Sequence, residues 1–274
     1  MKKYLILLFM MCMSVISAQE DTVLVLGSGG SKGLAHVGVI EELAKMDVNP
    51  KTIVGCSSGA LVAALYAQNN DIDQVKSWLM ELSMDDLIDY KFFDKKSISK
   101  RDRFRKFLSD RIVVDNFEDL QTDLVIVATD FATGKSVYIT EGNVREAVLA
   151  SCSLPGVFAP LELDGRHFID GGLSDPLPIS HAKSLNKGKV IASDVSPSLD
   201  SFKDKNIFDV LLKSFEIIYQ NLSACQHEDA AVLLEMNFSE GKSPLEGGQN
   251  EKFYQRGKEL VQEKAEDIRK ELSL

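Results

Sequence analysis

The sequence predicts an α/β fold with a mostly parallel central sheet and helices on both of its faces. Two observations predict it. Short runs rich in Val, Ile and Leu recur along the chain, as strands buried on both faces do. Between them the apolar residues return at helical spacing, and no repeat, low-complexity tract or long linker breaks the alternation. A chain of 274 residues, 45% of them hydrophobic, is large enough for a single domain from residue 19 to 274 with a full core.

Taken in order, the chain opens with Met1-Lys2-Lys3, an apolar run from Tyr4 to Ile16 and the small pair Ser17-Ala18. That is the order of a secretory signal, which predicts cleavage after Ala18 and an exported protein. The run is too short for a comfortable membrane span. Residues 22–26 then read as a buried strand and 33–46 as a helix. A short strand at 52–54 ends at Gly55, and 58–68 is a helix rich in small residues. A polar-faced helix follows at 71–82, a third buried strand at 124–128, its hairpin partner at 136–140 and a helix at 144–150. Residues 165–169 are strand-like, and later strands fall at 189–194 and 231–238 on either side of a helix at 207–225. One charged amphipathic helix, 251–272, closes the chain.

The segment from Lys91 to Arg111 is basic and carries Phe92, Phe93, Phe104 and Phe107. Its pattern favours a solvated helix with phenylalanines facing the core. The alternative is peripheral contact with an anionic membrane surface. The chain as a whole has a net charge of −10, and loss of Lys2 and Lys3 would make it more acidic, so nucleic acid is a poor partner. Cys12 would leave with the signal. Cys56, Cys152 and Cys225 are too few and too far apart for a disulfide framework or a zinc cluster; three free thiols, mostly buried, are favoured over a single bridge.

Three elements could carry chemistry. Gly55-Cys56-Ser57-Ser58-Gly59 is a G-x-S-x-G between a short strand and a small-residue helix. A nucleophile at such a turn needs small neighbours, and the helix N-terminus favours negative charge developing on its oxygen. The second element, GSGGSKG at 27–33, places backbone N–H groups at the mouth of a helix. A Walker loop would need Gly-Lys-Ser/Thr, whereas here Lys32 precedes Gly33. A dinucleotide loop would need a glycine at Lys32 and an acid ending the next strand, and neither is present. An oxyanion hole fits better: Gly29 and Gly30 permit close approach, and adjacent parallel strands would set the loop beside Ser57.

The third element is Asp170-Gly171-Gly172, after a strand-like run. A serine nucleophile needs a base, and His167, His181 and His227 lie downstream without a motif around them. Asp170, at a tight turn, could serve directly as the base of a dyad.

These elements, in this order, resemble the patatin-like phospholipase family. The resemblance rests on LGSGGSKGLAHVGVI (26–40), GCSSGA (55–60), DLVIVATDFATGK (123–135) and ASCSLPGVFAPLELDGRHFIDGG (150–172), and spans about residues 22–194. It implies a three-layer α/β/α fold and a Ser–Asp dyad acting on lipid or other acyl esters, without metal or organic cofactor. Carried over, Ser57 is the nucleophile and Asp170 the base. Gly29 and Gly30, with the Ser31 N–H, form the oxyanion hole, and Lys32 takes the family's Arg/Lys position. The family's loop usually runs Gly-Gly-Gly where this chain has Ser28-Gly29-Gly30, so a narrower approach to the hole or tilted donors, and slower or narrower activity rather than loss, are expected. The competing reading is a secreted lipid-binding protein of the same fold with vestigial chemistry.

Overall fold

The computed structural model describes residues 21–89, 97–196, 207–236 and 249–274. The predicted export signal and Lys91 to Lys96 of the basic segment lie outside the described residues.

From the N-terminal side, β1 (Thr22–Leu26) leads through a 3-10 turn (Gly30–Gly33) into α1 (Leu34–Lys45). β2 (Thr52–Cys56) leads at once into α2 (Ser58–Ala67), followed by α3 (Ile72–Met80) and the short α4 (Met84–Leu87). Next come β3 (Ser97–Ser99), α5 (Asp102–Arg111), β4 (Asp123–Asp130), β5 (Ser136–Ile139) and α6 (Val144–Ser151). Then follow β6 (Gly156–Phe158), β7 (Leu161–Leu163), β8 (Arg166–Asp170), α7 (Ile179–Ser184) and β9 (Lys189–Asp194). α8 (Ile207–Ala224), β10 (Val232–Glu235), α9 (Asn250–Glu263) and α10 (Ala265–Leu272) complete the described elements.

Five strands in the order β10-β9-β1-β2-β4 pair in parallel. β5, β8 and β7 join antiparallel, so the sheet is mixed rather than uniformly parallel. The cause is local. Asp164 and Gly165 adopt φ of 50° and 74°, the pair of positive values that closes a two-residue hairpin between β7 and β8. Alternation along β1 divides the interior. Leu24 and Leu26 face the larger core with Ile40 of α1 and Leu65 of α2. Val23 and Val25 face a thinner one with Leu177 and with Ile179 and Ala182 of α7. The buried sheet thus lies between helical layers, as the pattern of unbroken apolar strands requires.

The C-terminal region packs back on the start of the chain. α9 crosses α1 so closely that a Cβ on Gly38 would lie 2.1 Å from the Tyr254 carbonyl oxygen. One on Gly257 would lie 2.0 Å from that of Ala35. The single helix expected over 251–272 is two, meeting at Lys264 (φ −100°, ψ 9°). The apolar stripe Phe253, Leu260, Val261, Ile268 is interrupted where Lys264 falls on it, and the backbone breaks there. In α5, Phe104 and Phe107 are buried in the core. Its basic side chains pair within the protein: Arg103 with Asp89, Arg105 with Glu146 and Lys106 with Asp110.

Candidate active site

Register brings the chemical groups together. β5 pairs with Ile126 to Thr129 on one edge of β4, while β2 pairs with residues up to Val127 on the other. A strand has only two edges, so β8, which pairs with Ala128 to Asp130, must lie on the β2 side. It begins where β2 stops: Cys56 is opposite Val127 and Asp170 is opposite Ala128. Ser57 and Asp170 therefore meet end to end.

Ser57 sits on the turn between β2 and α2 with φ 51° and ψ −119°, a conformation a non-glycine residue adopts only when its surroundings enforce it. The enforcement is visible. Its N–H donates to Ser151 Oγ at 2.8 Å, and its carbonyl accepts from Leu61 N–H at 3.1 Å and Cys152 Sγ at 3.2 Å. A Cβ on Gly59 would lie 2.1 Å from the Leu26 carbonyl oxygen, so the helix can start this close to β1 only with glycine there. The nearly buried Ser57 Oγ donates to Asp170 Oδ2 at 2.7 Å.

Asp170 accepts from Gly172 N–H at 2.8 Å and from Tyr219 Oη at 3.4 Å through Oδ1. Burial wins over these donors and pushes its pKa up to about 6. Among the described residues no hydrogen bond joins a histidine to Ser57. His167 is exposed beside Glu162, His181 stacks on Tyr138, and His227 pairs with Asp194 at 2.8 Å.

The glycine-rich loop runs directly from β1, the parallel neighbour of β2. Its first donors are occupied: Gly27 N–H bonds Ser193 O at 3.0 Å and Ser28 N–H bonds Pro176 O at 2.8 Å. The N–H groups of Gly29, Gly30 and Ser31, at the start of the 3-10 turn, have no acceptor among the described residues. Orphan donors at a helix start form an anion site. Lys32 lies elsewhere. Its side chain is buried, faces Glu216 and lines neither cavity at the dyad, and desolvation lowers its pKa to about 8.

Two cavities meet at Ser57 and Asp170. The larger is lined by Leu61, Leu79, Leu87, Phe104, Val157 and Phe158 and is almost wholly apolar. The smaller lies under α8 against Ser28, Leu212, Phe215, Glu216 and Tyr219. Ser28 therefore constricts only the smaller one. Its hydroxyl lies on the Gly172 side, 2.9 Å from where a Cβ on that glycine would sit. Among the described residues no group of three or more His, Cys, Asp or Glu is placed to hold a metal ion.

The sequence model described as patatin-like phospholipase matches residues 24–183, more than half of the chain. The chain belongs to this family. An uncharacterized NTE family protein of Mycobacterium tuberculosis is 32% identical over 194 residues, covering 68% of this chain and 53% of the relative. A lysophospholipase of Emericella nidulans is 28% identical over 207 residues, covering 71% of this chain and 13% of that protein. The chain thus spans about half the length of the mycobacterial relative. VipD from Legionella pneumophila shares the fold at a TM-score of 0.59 and 14% identity, over 89% of this chain and 66% of VipD. The type III effector ExoU does so at 0.50 and 15%, over 92% and 53%.

Several residues of this patatin-like site had no signal as separate motifs. Fully buried His36 accepts from Ser193 Oγ at 3.0 Å through Nδ1 and donates from Nε2 to the Gly27 carbonyl at 2.9 Å. The carbonyl only accepts, which fixes that tautomer, and burial lowers the pKa to about 4, keeping the ring neutral. It pins the start of the loop to β9. Buried Arg101 bonds Ser153 Oγ at 3.0 Å and the Ala159 carbonyl, while Ser153 O accepts from Asp170 N–H at 3.0 Å. His36 and Ser151 stand inside the quoted motifs and were open to notice. Tyr219 lies beyond them. Cys56, Cys152 and Cys225 are free thiols.

Proposed function

We propose that this protein is a lipid acyl hydrolase in which Ser57 is the nucleophile and Asp170 its general base. The 2.7 Å hydrogen bond between Ser57 Oγ and Asp170, at the meeting point of an apolar cavity and three N–H groups with no acceptor among the described residues, carries the reading. The apolar cavity suits a fatty acyl chain, and the smaller cavity under α8 is left for part of the alcohol.

Asp170 takes the Ser57 proton as Oγ attacks the acyl carbonyl. The N–H groups of Gly29, Gly30 and Ser31 receive the tetrahedral oxyanion, an arrangement in which each lost donor raises the barrier by roughly 3 to 4 kcal/mol. The proton held by Asp170 passes to the leaving alcohol oxygen, and the acyl group remains on Ser57. Asp170 then deprotonates water, which attacks the acyl-enzyme and releases the fatty acid with Ser57 restored. A carboxylate with a pKa near 6 suits this work: it is ionised at neutral pH yet more basic than an exposed aspartate. Export through residues 1–18 belongs to the same proposal. A mature chain beginning at Gln19 supports it, and a cell-retained chain keeping Met1 contradicts it.

Hydrolysis of a phospholipid, lysophospholipid and short-chain ester panel by wild type, Ser57→Ala and Asp170→Asn tests the proposal. The expected result is fatty-acid release by wild type alone. Near-wild-type turnover by Asp170→Asn would move the base to another group. Lipid binding with no turnover by wild type would favour the vestigial, lipid-binding reading.

A further inference from the structure

α8 separates the candidate dyad from the outside of the molecule, and its two faces differ in kind. On the inner face Tyr219 reaches Asp170, and Leu212, Phe215 and Glu216 close the smaller cavity. On the outer face Ile207 is 84% exposed, Val210 42%, Ile217 42% and Ile218 38%. Ser214, Asn221 and Ala224 complete the exposed stripe, which holds no charged residue, because Asp209, Lys213 and Glu216 all fall off it.

Branched aliphatic side chains rank among the most often buried, so four on one exposed stripe are informative. Other helices of this chain behave differently. The exposed positions of α9 include Glu251, Lys252, Glu259 and Glu263, and those of α5 include the ion-paired Arg103, Arg105, Lys106 and Asp110.

We propose that the outer stripe of α8 is the surface by which this protein docks on a lipid aggregate of zwitterionic headgroups. The proposal rests on the lipid-hydrolase reading and adds the place and charge type of the contact. Position argues for lipid as occupant. The four aliphatic side chains span about 16 Å of a helix that walls the smaller cavity, so a surface docked there lies about one helix diameter from that cavity. Charge argues the same way. On a protein of net charge −10, an uncharged apolar stripe meets a neutral interface without repulsion, whereas an anionic one would be opposed by the chain's net negative charge. The basic face of α5, the other candidate, has Arg103, Arg105 and Lys106 already paired inside the protein.

The experiment uses the full chain carrying Ser57→Ala, so that vesicles are not consumed, with and without Val210→Glu and Ile217→Glu on the outer face. Co-flotation with phosphatidylcholine vesicles should fall at least tenfold in the charged variant. In the Ser57 background the same pair of changes should leave short-chain soluble ester hydrolysis within twofold and lower vesicle phospholipid hydrolysis at least tenfold. Val210→Ser with Ile217→Ser should give a smaller loss in the same direction, and soluble ester turnover reports that each variant is folded. Unchanged flotation and vesicle hydrolysis would overturn the proposal. So would a wild-type dimer in sedimentation that the charged variant dissolves, since a second copy would then be the occupant. Absence of turnover on every substrate would overturn the hydrolase reading instead, while flotation of the Ser57→Ala chain still decides the docking.

Discussion

Asp170→Asn separates catalysis from stability. The carboxyl is buried, and burial raises its pKa from 3.8 to about 6. The folded state therefore binds this proton more tightly than the unfolded state does. Stability contributed by the protonated carboxyl is fully present below about pH 4 and is lost as pH rises through about 6. At pH 7 to 8 the fold carries the whole cost of ionisation, roughly 3 kcal/mol at about 1.4 kcal/mol per pH unit. Asparagine keeps the shape and abolishes the charge, but its amide fits the donors Ser57 Oγ, Gly172 N–H and Tyr219 Oη less well than a carboxylate. The expected gain at pH 8 is thus about 1 to 3 kcal/mol, a rise in Tm of roughly 2 to 10 °C for a chain this long. Thermal denaturation of both proteins at unit steps from pH 4 to pH 8 measures it. The difference should vanish near pH 4, while ester hydrolysis by the variant stays absent throughout. A variant less stable than wild type at pH 8, or a gain that persists unchanged at pH 4, would refute the reasoning.

The remaining predictions concern the supports of the site. Ser151→Ala leaves the buried Ser57 N–H without its 2.8 Å acceptor, and should lower stability by about 1 to 3 kcal/mol and ester hydrolysis by more than tenfold. Denaturant titration and steady-state kinetics read the two effects. Ser28→Gly removes the side chain that narrows the smaller cavity, and should raise kcat/KM for esters of bulky alcohols while leaving acyl-length preference unchanged. Gly257→Ala forces a methyl to within 2.0 Å of the Ala35 carbonyl oxygen, and should destabilise by about 1 to 3 kcal/mol without changing the pH dependence of turnover.

The parts of this architecture that were legible in the sequence are those written locally. The strand–glycine–helix turns announced themselves through composition, and pairing of β1 with β2 follows once buried strands alternate with helices. Asp170 was legible as a turn aspartate, and the family resemblance paired it with Ser57, but the geometry of their meeting was not legible. That meeting depends on β8 reversing through the Asp164-Gly165 hairpin and entering the edge of β4 where β2 ends, a non-local pairing with no periodic signal. The break at Lys264 carries neither glycine nor proline, so a propensity reading runs the helix through it. Tyr219 reads in sequence as one more aromatic on an amphipathic helix, and only tertiary packing sets it at Asp170. His36 stands in the loop–helix motif upstream of Ser57, and its role is to position the loop rather than to act as a base.

The pH dependence of fluorophosphonate labelling, followed by peptide mass spectrometry, tests the central assignment most directly. The account predicts one label, on Ser57, at a rate that rises through an apparent pKa of about 6 and falls at least a thousandfold, roughly 4 kcal/mol, in Asp170→Asn. A label on any other residue, or one on Ser57 whose rate and pH profile survive Asp170→Asn, would contradict it.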